Sequence, residues 1–107
     1  MNASPRATEV LGADTLDYLR IGGEEVELEA GEPILRKGEP GVAVHFILSG
    51  EAEVSLEAAD GHHLSLCRLG PGEYFGELSV LRHEPVSADV TSTTPVRLLR
   101  YPAELFP

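Results

Sequence analysis

The residues best able to do chemistry lie in one stretch. Leu69-Gly70-Pro71-Gly72-Glu73-Tyr74-Phe75-Gly76 runs into Glu77-Leu78-Ser79-Val80-Leu81, and Pro85-Val86-Ser87-Ala88 follows. The run Glu77 to Leu81 favours a single short helical turn. Gly76 opens it, and a residue without a Cβ lets a ligand approach the backbone closely. The first N–H groups of a helix have no partner within it, so they can point at an anion. This is the chemistry of binding. No nucleophile–base–orienter set, P-loop or pair of glycosidase carboxylates accompanies it.

The other reactive side chains read as ordinary surface or core. His62 and His63 are adjacent, and neighbouring strand residues point to opposite faces, so the two rings cannot readily share a metal. His45 lies in an apolar run and reads as a satisfied interior histidine. Cys67 shows no charged-neighbour pattern that marks a reactive thiol and reads as a small strand residue. Glu77 is itself favourable at a helix start without any ligand, and Ser87 suits the start of a strand.

These residues need a scaffold, and the remaining sequence supplies strands. Val26 and Leu28 alternate with Glu25, Glu27 and Glu29. Ala52, Val54 and Leu56 alternate with Glu51, Glu53, Ser55 and Glu57, and Leu64 and Leu66 with His63, Ser65 and Cys67. Period-two alternation predicts one face on a core and one in water. Val44 to Leu48 is more continuously apolar, His45 apart, and predicts a better-buried strand. Val86 to Val90 and Val96 to Tyr101 predict two more. Asp60-Gly61 between two alternating runs predicts a hairpin with a type I′ turn. Glycines at 31, 38, 41, 50, 61, 70, 72 and 76 punctuate the runs. Short strands at this spacing indicate an antiparallel sandwich or barrel. Ahead of them, Met1 to Thr8 reads as a weakly ordered arm, and Glu9 to Leu19 as a short helix.

Length and charge set the outer limits. The 107 residues fit one domain. Eighteen acidic against eight basic residues give a net charge of −10, which opposes direct binding to nucleic acid or to an anionic membrane surface. With a single cysteine no internal disulfide can form. The N-terminus has no apolar signal region, so a cytoplasmic location is expected.

The ordered motifs resemble one family. Phe75-Gly76-Glu77-Leu78-Ser79-x-Leu81, then Pro85-x-Ser87-Ala88, is similar to the phosphate-binding cassette of cyclic-nucleotide-binding domains. Gly38-Glu39-Pro40-Gly41 and Phe46-Ile47-Leu48-Ser49-Gly50-Glu51-Ala52-Glu53-Val54 resemble that family's early turn and strand pair. The likeness covers roughly Val26 to Tyr101. It implies a mainly β fold: an eight-stranded antiparallel β-roll, or jelly-roll barrel, over residues 21–101. A short helix within residues 1–20 precedes the roll, and residues 102–107 are the start of a C-terminal segment whose lid helices are largely absent. It also implies a ligand, cAMP or cGMP, and no further cofactor. Glu77 would accept from the ribose 2′-hydroxyl, the Gly76 and Leu78 backbones would line the sugar-phosphate, and Ser87 and the Ala88 N–H would contact the cyclic phosphate.

At one position the likeness fails. The family has an arginine after the cassette proline, and this chain has Val86. Arginine offers phosphate a planar fork of donors, and valine offers none. Removing one member of a buried charged pair costs about 2–5 kcal/mol, roughly tens- to a few thousand-fold in affinity. Arg82 and His83, in the variable part of the cassette, are the candidates for a replacement cation. Val42 also stands where the family has aspartate. The sequence is therefore read as a regulatory sensor domain, not an enzyme, with weakened or lost cyclic-nucleotide affinity. It would couple a ligand or partner to an effector domain or partner protein. The alternatives are a degenerate structural or protein-interaction module, or a cupin-type metal-dependent enzyme in which His45, His63 and Glu77 converge.

Overall fold

In the computed structural model, which describes residues 22–105, the alternating runs close into two four-stranded antiparallel sheets. The strands are β1 (Glu24–Leu28), β2 (Pro33–Leu35), β3 (Ala43–Ser49), β4 (Ala52–Glu57), β5 (His63–Leu69), β6 (Tyr74–Phe75), β7 (Asp89–Ser92) and β8 (Val96–Pro102). One sheet has the order β1-β8-β3-β6 and the other β2-β7-β4-β5. Strands β1 with β8, β2 with β7, β3 with β6, and β4 with β5 pair like a long hairpin rolled up on itself. This is the expected β-roll. The predicted N-terminal helix lies outside the described residues. A short helix, α1 (Glu77–Arg82), sits between β6 and β7, and a 3-10 turn over Ala103–Leu105 follows β8.

Burial explains the patterns. β3 is central in its sheet, and six consecutive residues, Ala43 to Leu48, are buried. Ile47 joins Ala52, Phe75, Val90, Val96 and Leu98 in the main core, while Phe46 and Leu48 pack with Leu99 in a second cluster. A strand covered on both sides needs no polar alternation, hence the continuous run.

Three expectations are corrected. Leu64 and Leu66 are not core residues; both are about half exposed, because β5 is an edge strand with no layer over it among the described residues. The register also shifts there: Val54 pairs with Cys67 but Ser55 with Ser65, so Leu66 is an extra, bulged residue. The hairpin turn is not type I′. His83 is the only non-glycine residue with positive φ among the described residues, so Asp60 does not have one, and Gly61 alone (φ 90°) does. The Gly61 N–H donates to Ala58 O at 2.9 Å, and the Asp60 carboxylate accepts from the His62 N–H at 3.0 Å, making a longer loop than two residues. Finally, Val86 to Ala88 are not strand; β7 begins at Asp89.

The far end of β7 is tied down by Ser92, which is 1% exposed. Its Oγ accepts from the Glu32 N–H at 2.9 Å and donates to Glu29 O at 2.6 Å, while its backbone exchanges bonds with Gly31 N–H and Glu32 O. Ser92→Ala leaves the Glu32 N–H and Glu29 carbonyl unmatched. It should cost about 1–3 kcal/mol of stability, read as a lower urea midpoint at unchanged slope; a midpoint equal to the parent's would show that these bonds contribute nothing.

Candidate functional site

The stretch singled out from the sequence lines one cavity. Gly76 caps α1 with φ 87° and gives no side-chain bond, so its role is conformational. That φ suits glycine, and a Cβ there would stand 3.0 Å from the Ala43 carbonyl. Val80 and Ser79 bury the inner side of α1 against the roll. Gly41 lets the helix come that close, since a Cβ on it would overlap the Ser79 side chain and lie 3.0 Å from the helix backbone. The helix ends at His83, in the left-handed region (φ 55°), where the Glu84 N–H donates to Ser79 O at 3.1 Å. This six-to-one closure followed by Pro85 ends a helix sharply.

Beyond the helix the chain is clamped to the turn after β2. The Val86 N–H donates to Glu39 O at 2.9 Å, and the Gly38 N–H donates to Val86 O at 2.8 Å. One step further, Asp89 Oδ1 accepts from the Lys37 N–H at 2.8 Å. These bonds fix where Ser87 and Ala88 pass the mouth of α1.

The result is a cavity of about 200 Å³ that gathers Gly76, Glu77, Leu78, Ser87 and Ala88, all five residues that the sequence proposed. Its remaining lining is mostly apolar: Leu35, Val54, Leu69, Tyr74, Phe75, Val86 and Val90, with the hydroxyl-bearing Ser79. Sequence reasoning passed over most of these. The strand residues carried only the general signal of inward alternation, which does not separate a cavity wall from a core. Among the described residues the lining holds one carboxylate, Glu77, and no Lys, Arg or His. Val86 is buried rather than turned to solvent. Arg82 and His83 are not in the lining; both are exposed, and His83 borders a different hollow with Gly38, Pro40 and Gly41.

His45 departs from expectation. It is buried, and its Nδ1 has no hydrogen-bond partner, so it is not a satisfied core histidine. Its ring stacks on Phe75, with centroids 5.0 Å apart and planes 9° apart. Burial, and secondarily the Arg100 guanidinium, lower its pKa to about 4. His63 is exposed and pairs with Glu53 at 2.6 Å, so His45, His63 and Glu77 do not converge, and no metal-binding cluster of three such side chains exists among the described residues. His62 pairs separately with Asp60. No helix among the described residues is long and apolar enough to cross a membrane.

Known proteins carry the same architecture. The family model "Cyclic nucleotide-binding domain" matches residues 25–107. A putative potassium channel protein of Rhodopseudomonas palustris is 40% identical over 74 residues, which is 68% of this chain and 17% of that protein. A CRP-like cAMP-activated global transcriptional regulator of Mycobacterium tuberculosis is 34% identical over 74 residues, 69% of this chain and 33% of that one. The regulatory domain of Toxoplasma gondii PKA, crystallised with cAMP, superimposes with a TM-score of 0.78 at 29% identity over 94% of this chain and 38% of that structure. The chain thus spans a third or less of the length of these two curated relatives.

A pH dependence follows from His45. Its folded pKa lies below the unfolded value of 6.5, so below pH 6.5 the unfolded chain binds the proton first. The stability from keeping this ring neutral is complete above pH 6.5 and is lost as pH falls towards 4, on the order of 3 kcal/mol over that window. Urea titrations across this range should show the loss in the parent and its absence in His45→Phe. Identical slopes in the two proteins would contradict the assignment.

Proposed function

The chain belongs to the cyclic nucleotide-binding domain family, and within it we propose a regulatory module whose cassette cavity holds a cyclic phosphate weakly or not at all. The observation that carries this reading is the cavity lining, which among the described residues has Glu77 and no basic side chain. A cyclic phosphate placed beside Ser87 and Ala88 would lie near a carboxylate with no cation between them, in a partly apolar site where unlike and like charges are both poorly screened. The surrounding net charge of −10 adds to the repulsion. Helix N–H groups and the Ser87 hydroxyl remain as neutral donors, which favours a neutral ligand, or one anchored through its sugar and base, over one held by its phosphate.

Arg82 and His83 lie outside the lining, and this supports assigning them no role in neutralising a bound anion. As a regulatory module, the domain would pass a change at the cassette to an effector domain or a partner protein. The same region occurs within a channel protein and a transcriptional regulator among its relatives, which favours a shared sensing part with different outputs.

Calorimetric titration with cAMP and cGMP tests the reading. The parent should show no saturable binding in the low-micromolar range, and Val86→Arg should bind at least tenfold more tightly, since restoring a buried charged pair is worth about 2 kcal/mol or more. Low-micromolar binding by the parent would refute it.

A further inference from the structure

A second cavity, of about 300 Å³, lies on the other side of Leu35 and Val86, which line both. Its volume is at the lower end of the roughly 300–1,000 Å³ usual for small-molecule sites. Val26, Leu28, Ile34 and Leu98 give it an apolar floor, and His45 belongs to its lining. Its charged groups are Arg36 and Arg100, with Glu39 the one carboxylate. Neither arginine forms an ion pair among the described residues, although Glu24 stands opposite Arg100 in the β1–β8 register. In a protein with a net charge of −10, two guanidiniums against one carboxylate beside apolar walls are a local reversal of charge.

We propose that this cavity binds a small amphipathic carboxylate, with its chain on Val26, Leu28, Ile34 and Leu98 and its head at Arg36 and Arg100. Guanidinium matches a carboxylate with two parallel N–H donors. Among the described residues the cassette cavity has no basic side chain, which favours this site over that one for an anion. Occupancy would bear directly on the cassette. Leu35 and Val86 form the shared wall, and Glu39, at the edge of this cavity, accepts the Val86 N–H bond that fixes the cassette's exit. A ligand here would bias the position of Val86 and, through it, Ser87 and Ala88.

Octanoate titrated into the full chain, followed by two-dimensional amide NMR, tests this. Saturable shifts are expected at Ile34 to Arg36, Glu39, His45 and Arg100, extending to Val86. The double variant Arg36→Gln/Arg100→Gln should bind octanoate at least tenfold more weakly while its weak binding of octan-1-ol stays unchanged. Both arginines are exposed, and the single Arg36→Gln variant, at the end of β2, provides a second reading if the double variant is unfolded. The proposal is overturned by no saturable shift, by shifts confined to Gly76 to Ser79 and Ser87 to Ala88, or by equal octanoate affinity in parent and variant. An equal loss of octanoate and octan-1-ol binding overturns it too, because that reports a structural effect and not loss of the carboxylate's partner.

Discussion

The backbone clamp between Val86 and the Gly38–Glu39 turn is the constraint on which the site depends. Two hydrogen bonds of 2.8 and 2.9 Å join these segments, and they set the path of the chain from the end of α1 into β7. Because the clamp uses only backbone groups, it is indifferent to the side chain at position 86. These backbone bonds can therefore be kept whatever side chain stands at position 86. Val86 takes that freedom in the apolar direction: its side chain is buried, contributes to the walls of two cavities and brings no donor to either.

The central strands β3, β4, β7 and β8 supply most of the main core, and Ser92 fastens β7 to the turn before β2. The edges differ in kind. β1 carries Glu24, Glu25 and Glu27, with Arg97 bonded to Glu25 at 2.7 Å and Glu27 at 3.2 Å; such exposed pairs add little stability, but charge along an edge discourages strand addition. β5 has no comparable line of charge, and its bulge at Leu66 is the feature that interrupts its edge.

The sequence made the cassette legible because its constraints are local. Gly76 is needed for a positive φ, Pro85 stops the helix, and Ser87-Ala88 follow at a fixed distance, so motif spacing carries over directly into the cavity that contains them. The continuous burial of β3 was legible for the same reason. What escaped was relational. Leu64 and Leu66 alternate like core residues, yet an edge strand has nothing to pack against, and alternation cannot tell the two situations apart. The short strands Pro33–Leu35 and Tyr74–Phe75 are too brief to show a period. His45 reads as an ordinary interior histidine, and only the packing of Phe75 and the nearness of Arg100 reveal a neutral ring with an unpartnered nitrogen. Val86 is conspicuous in the sequence where the family resemblance implies an arginine; that the described lining holds no Lys, Arg or His is visible only in the assembled cavity.

The central proposal is that this pocket keeps its family's fold while holding a cyclic phosphate weakly or not at all. It is tested most directly by comparing adenosine with cAMP on the unmodified chain, following the amides of Gly76, Ser87 and Ala88. Equal affinity, or weaker binding of cAMP, is predicted, because the cyclic phosphate finds no cation. Binding of cAMP ten or more times tighter than adenosine would contradict the account.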